Sequence, residues 1–214
     1  MRVVSFNGSP KTKNSNTQVM IDALLKGLES ESTEITRVFL YEKNLNYCSG
    51  CYSCWTNTPG RCVIDDDMKE LIPLMNEADI IILGSPLYFC NVSGTLKVFI
   101  DRLTAAGGDP HKVRSGEPRT RSHLIMMSNC GFPNRSQFEA TSAWIKSMSS
   151  MMRIELLGEF YATSGKILTI PTEKQEQKRN AYLNYLENCG KSYLERMELS
   201  EELIMQTQKD ILDF

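Results

Sequence analysis

Apolar strand patterns alternate with helical ones along the chain, and this alternation limits the fold more than any other feature. Residues 2–6, 35–41, 79–84, 123–128 and 154–161 are short runs rich in Val, Ile, Leu, Phe and Met, as expected of buried strands. Between them, residues 17–28 place Met20, Ile21, Leu24, Leu25 and Leu28 on one helix face, and residues 95–103 do the same with Leu96, Phe99, Ile100 and Leu103. Residues 138–152 read as a third helix. Residues 65–78 read as a fourth, in which Pro73 must kink the helix or end one turn and start another. Parallel strands need a crossover, usually a helix. The pattern therefore predicts an α/β fold: a doubly wound five-stranded parallel sheet in the order 2-1-3-4-5, with helices on both faces.

A chain of 214 residues is long enough for one large domain with a well-buried core. Residues 1–170 are expected to form it. Residues 171–214 are polar and helix-prone, with Leu183, Leu186, Tyr193 and Leu194 spaced along them, and are expected to be a helical C-terminal extension. Two placements are open for this tail, on its own domain or on a dimer partner. Residues 107–121, rich in Gly, Pro and basic side chains, form the one long irregular stretch. Arg114, Arg119 and Arg121 within it read as a solvated basic loop in preference to a nucleotide-phosphate contact. The net charge of −2 gives no reason to expect nucleic acid or an acidic membrane as partner. No signal-peptide pattern and no apolar run of membrane-spanning length is seen, so a cytoplasmic protein is expected.

The segment from Asn7 to Thr17 is too long for a mere strand-to-helix turn. Gly8 allows close backbone approach to a ligand, and Ser9, Asn14, Ser15, Asn16 and Thr17 supply hydroxyls and amides. Lys11 and Lys13 add positive charge. With the free N–H groups of a helix start, this is an anion site suited to a phosphate monoester. A single residue is enough to cap a helix, so capping alone does not account for the loop. A mononucleotide P-loop is excluded by its missing glycine spacing and Gly-Lys-Ser/Thr, and the dinucleotide glycine fingerprint is missing too.

Gly8-Ser9-Pro10-Lys11 followed by Ser15-Asn16-Thr17 resembles the phosphate loop of the NAD(P)H-dependent FMN reductases, which are flavodoxin-like flavoproteins. Gly84-Ser85-Pro86-Leu87-Tyr88, Gly94-Thr95-Leu96-Lys97 and Phe99-Ile100-Asp101-Arg102 resemble the flavin-ring loop and following helix of the same family. The resemblance implies FMN, with its phosphate at Ser9, Lys11, Asn14, Ser15, Asn16 and Thr17. Its ring would lie along Pro86, Leu87, Tyr88, Phe89 and Asn91, with Ser128, Asn129 and Gly131 after the fourth strand near the pyrimidine side. It also implies NAD(P)H as electron donor and a dimer or higher assembly. Hydride chemistry belongs to the flavin, so no catalytic side chain is expected, and His111 and His123 are read as non-catalytic. Asp65, Asp66 and Asp67 are expected to complement a helix N-terminus.

Cys48, Cys51, Cys54 and Cys62 form a C-x2-C-x2-C-x7-C run, four of the seven cysteines of the chain. In a reducing compartment such spacing suggests metal or redox chemistry more than a disulfide framework. The two-residue spacings let successive thiolates face one metal centre, as in cluster-binding ferredoxin loops. The run resembles that of the iron–sulfur flavoproteins, which implies a [4Fe-4S] cluster near FMN. Free or reversibly oxidised thiols, zinc and a stable disulfide remain alternatives. Cys90, Cys130 and Cys189 read as lone residues, the first two beside the flavin.

Three functions follow as expectations. The first is an FMN-dependent NAD(P)H oxidoreductase passing electrons to a quinone, flavin, nitro compound or similar small acceptor. The second is an iron–sulfur flavoprotein that exchanges single electrons with a ferredoxin-like protein. The third is a cysteine-based redox-sensing, nucleotide-binding module.

Overall fold

In the computed structural model, which describes residues 1–106 and 122–214, five strands pair in parallel in the order β2-β1-β3-β4-β5. They are β1 (Arg2–Asn7), β2 (Glu34–Phe39), β3 (Ile80–Pro86), β4 (His123–Asn129) and β5 (Glu155–Ala162). The helices are α1 (Asn16–Leu28), α2 (Met68–Asn76), α3 (Gly94–Arg102), α4 (Glu139–Met152), α5 (Glu173–Arg196) and α6 (Glu201–Gln206). His111, Arg114, Arg119 and Arg121 lie outside the described residues.

Each central strand feeds two cores, because successive side chains point to opposite faces. Val3, Ile80, Ile82, Ile125, Met127 and Phe160 pack under α1 and α5. Val4, Phe6, Ile81, Leu83, Leu124 and Met126 pack under α2, α3 and α4. The helix after β1 thus covers one face and the helix after β3 the other. Above the carboxyl ends of these neighbouring strands, the topology opens a crevice.

Several boundaries differ from the sequence expectations for identifiable reasons. β3 continues through Ser85 and Pro86, which stand opposite Ser128 and Asn129 of β4. Ser128 and Asn129 are accordingly strand residues and do not belong to a following loop. β2 stops at Phe39, and Leu40–Glu42 form a single 3-10 turn. α2 begins three residues later than expected and runs through Pro73 as one helix. Proline there removes one helical N–H, which would have donated to the carbonyl of Lys69.

The C-terminal extension lies against α1. Helix α5 starts at a capping box, in which the Thr172 amide donates to Gln175 Oε1 at 3.0 Å. Tyr182, Tyr185, Leu186, Cys189 and Tyr193 are buried in the α1-side core, and the Tyr193 hydroxyl donates to the Leu157 carbonyl of β5 at 2.9 Å. The crossing is glycine on glycine. A Cβ on Gly27 would stand 1.9 Å from the Glu187 carbonyl oxygen, and one on Gly190 would stand 2.2 Å from that of Leu24. At its rim, Lys26 reaches Glu187 at 2.7 Å.

Candidate functional site

Asn7, the last residue of β1, shapes the loop that follows. Its side chain is buried, and Oδ1 accepts from the Ser9 amide at 2.8 Å. Its Nδ2 donates to Gln18 Oε1 at 2.9 Å and to Ser15 Oγ at 3.2 Å. Ser15 is the N-cap of α1: its hydroxyl accepts from the Gln18 amide at 3.0 Å and donates to the Thr12 carbonyl at 2.7 Å. That hydroxyl holds the loop together and has no proton left for a ligand.

The amides of Asn16 and Thr17, at the first two positions of α1, have no intramolecular partner among the described residues. The Thr17 hydroxyl is buried and accepts from Asn129 Nδ2 at 2.8 Å, so its own proton remains available. Ser9 is also buried, while Lys11, Lys13 and Asn14 stand exposed on the rim. Together these groups form a cluster of donors at the positive end of a helix.

The second loop is fastened to the first. The Gly8 amide donates to the Gly84 carbonyl at 2.8 Å, and Ser93 Oγ donates to the Gly8 carbonyl at 2.6 Å. A Cβ on Gly8 would lie 2.7 Å from that of Leu96, so only glycine lets the loop approach α3 this closely. Ser85 Oγ accepts from the Ser93 amide at 2.8 Å, and the Leu87 amide donates to the Asn129 carbonyl at 2.8 Å. Tyr88 and Asn91 close a tight turn through paired backbone bonds, with Phe89 and Cys90 both at positive φ. Phe89 is fully exposed and Tyr88 half exposed, so neither is a core residue. Gly131 and Phe132 are exposed after β4. The Ser128 hydroxyl is buried and has no partner among the described residues.

A third wall went unrecognised in the sequence. The Gly165 amide donates to the Cys130 carbonyl at 2.7 Å, and Thr169 Oγ1 donates to Asn16 Oδ1 at 2.7 Å. The turn after β5 therefore braces both the start of α1 and the end of β4. On the α3 side of the Asn7–Thr17 loop, Pro10, Tyr41, Lys43, Tyr47 and Tyr88 line an open groove of about 470 Å³. A groove of about 650 Å³ beside β5 contains none of the motif residues, and its Lys146 and Tyr161 both engage Glu159.

The four clustered cysteines line one cavity of about 130 Å³, together with Val63, Ile64, Arg102 and Ala105. All four are free thiols; Cys48 and Cys51 are exposed, and Cys54 and Cys62 are half-buried. Hydrogen bonds from the backbone and side chain of Ser53 hold the Cys51 thiol below its usual range, whereas burial pushes Cys54 up. Among the described residues, no three Cys, His, Asp or Glu side chains are placed around a single ion.

The cysteine segment is tied to two helices. Asp66 accepts from the Asn46 amide at 2.9 Å and Asp67 from the Asn44 amide at 2.9 Å. Trp55 Nε1 donates to the Thr104 carbonyl at 3.1 Å. Asp66 also accepts from the Met68 amide at 3.2 Å, the expected helix-start role. Its larger role is a fully buried ion pair with Arg102 at 2.6 Å, between residues too distant in sequence to suggest it. Burial opposes ionisation of Asp66, but bonds from Arg102 and Asn46 outweigh it and hold the carboxyl below its ordinary range.

An iron-sulfur flavoprotein of Archaeoglobus fulgidus is 44% identical over 110 residues, covering 51% of this chain and 49% of the relative. Another, from Methanocaldococcus jannaschii, is 41% identical over 102 residues, covering 48% and 51%. The chain thus matches about half the length of these curated relatives. Among solved structures, an FMN-dependent NADH-azoreductase of Bacillus anthracis in complex with FMN superposes with a TM-score of 0.67 at 16% identity, covering 91% of this chain and 100% of that one. At that identity the likeness shows the fold. Residues 1–166 match the family model for the NADPH-dependent FMN reductases, and the chain belongs to that family.

Proposed function

We propose that this chain binds FMN above the ends of β1, β3 and β4 and is a flavin oxidoreductase with an iron–sulfur centre in its cysteine cavity. The observation that carries this reading is that four thiols line one cavity, whose wall includes Arg102 at the end of the helix that is fastened at its start to the Asn7–Thr17 loop. Ser93, at the start of α3, bonds to Gly8, and Arg102, at its end, bonds to Cys62. At about 1.5 Å rise per residue, α3 separates the two attachment points by roughly 13 Å.

The chain's residues suit FMN. The Asn16 and Thr17 amides and the Thr17 hydroxyl would hold the phosphate, with Lys11 and Lys13 supplying positive charge on the same loop. Tyr88 and Phe89 offer exposed aromatic faces. The cysteine cavity suits a cluster by its donor set, since Cys48, Cys51, Cys54 and Cys62 all line it. FMN can exchange one or two electrons and a cluster one, which is the chemistry the two groups would supply. The protein's part is to hold both centres, shield them and fix their separation.

A ferredoxin-like protein or a small-molecule acceptor is the partner class this reading implies, in a reducing cytoplasm and with a dimer as the assembly. Direct reduction by NADH or NADPH is the second reading, favoured by the open tyrosine-lined groove beside the phosphate loop. Replacing Cys51 by alanine is expected to reduce iron in anaerobically prepared protein at least tenfold while leaving FMN content unchanged. Iron at the wild-type level in Cys51→Ala would remove the cavity from consideration. Bleaching of bound flavin within seconds by NADH or NADPH would favour the second reading.

A further inference from the structure

Arg102 is an unusual arginine. Its side chain is fully buried at the end of α3, where it lines the cysteine cavity. A buried guanidinium is tolerated only when its donors are paired. Nη1 donates to Asp66 Oδ2 and to the Asn46 carbonyl, both at 2.6 Å, and Nη2 donates to Asp66 Oδ1 at 2.9 Å. The bidentate Asp66 grip fixes the plane of the fork. Nη2 also donates to the Cys62 sulfur at 3.3 Å. Nε is buried with no partner among the described residues.

We infer that Arg102 is the positioning residue of the cysteine centre, holding Cys62 in place and raising the reduction potential of the cluster bound there. This rests on the cavity being an iron–sulfur site. Cys62 needs such an anchor more than the other three cysteines do. Two residues separate each of Cys48, Cys51 and Cys54 from the next, whereas seven residues separate Cys54 from Cys62. A fixed donor on a rigid helix offsets that slack.

The electrostatic consequence has a definite sign. One electron entering the cluster makes it one unit more negative, and a buried N–H donor on a ligand sulfur favours the more negative state. Dithionite supplies the electron in the test. Arg102 and Asp66 together carry no net charge, so a neutral replacement of the pair can remove the donor without leaving an unpaired buried ion.

The test is a redox titration of anaerobically reconstituted protein, followed by electron paramagnetic resonance, with iron and FMN contents measured in parallel. In the double variant Arg102→Gln/Asp66→Asn, the reduction equilibrium is expected to fall about tenfold, equivalent to about 59 mV for one electron. FMN content should stay at the wild-type level. Loss of iron with FMN retained also supports the role, through failure to hold Cys62. Arg102→Lys keeps a charge for Asp66 but withdraws the fork from Cys62, and it carries the test if the double variant fails to bind FMN. It too should show a lower potential. Wild-type potential, signal shape and iron content in the variants would overturn the inference. A wild-type protein that takes up no iron would overturn the cluster reading and this inference together, whereas unchanged variants of an iron-containing protein would overturn only this one.

Discussion

Gly27→Ala is expected to lower the melting temperature by on the order of 10 °C. The added Cβ would stand 1.9 Å from the Glu187 carbonyl oxygen and 2.8 Å from the Lys191 nitrogen. Both are backbone atoms of α5, so no rotamer change relieves the clash. The whole helix must move away from α1. Overpacking in a tight core typically costs about 1–3 kcal/mol and occasionally more. Here the upper end or beyond applies, because the obstacle is a helix. Alanine's higher helix propensity returns only about 1 kcal/mol. A net loss near 3 kcal/mol corresponds to roughly 10 °C in a domain of this size. Gly94→Ala is the control, since a Cβ there meets nothing within 4 Å. Thermal melts followed by circular dichroism read both, and a Gly27→Ala protein that melts with the wild type would mean that α5 does not sit on α1 as described.

Asn7→Ala is expected to weaken FMN binding about a hundredfold. Alanine removes the acceptor of the Ser9 amide and the donor to Ser15 and Gln18 in a buried setting. Orphaned buried polar groups cost about 1–3 kcal/mol each, and a loop can avoid that cost only by losing its shape. A hundredfold change corresponds to about 2.8 kcal/mol, within that range. Lys13→Ala, at an exposed position, should change affinity no more than a few fold. Quenching of FMN fluorescence during titration measures both. Equal losses at the two positions would mean that surface charge, and not loop geometry, holds the phosphate.

The sheet was legible because its central strands are apolar on both faces, which leaves few alternatives for Ile80 to Leu83 or Leu124 to Met127. The strand order and the switch point followed. The loop from Asn7 to Thr17 was legible by composition as a candidate anion site, but the roles of its residues within the fold were not. Ser15 reads in sequence as a possible ligand contact, yet its hydroxyl is spent on the helix cap and the Thr12 carbonyl. Asn7 reads as the end of a strand, yet it organises the loop. Such roles depend on which groups are left unsatisfied after folding, and spacing does not encode that.

Long-range pairs were the least legible. Nothing in the order of residues links Asp66 to Arg102, Gly27 to Gly190 or Asn16 to Thr169. The packing of α5 was equally hidden, because its buried Tyr182, Tyr185 and Tyr193 are interspersed with many charged residues. By contrast, the cysteine run was visible at once. The cavity behind it, and the arginine that lines it, required the fold.

Anaerobically purified and reconstituted wild-type protein tests most directly whether one α/β domain carries both centres. Its absorption spectrum, with iron, sulfide and flavin analysis, is expected to show one FMN and about four irons per chain. Flavin without iron after reconstitution would contradict the two-centre site, and protein that binds neither would contradict the flavin reading as well.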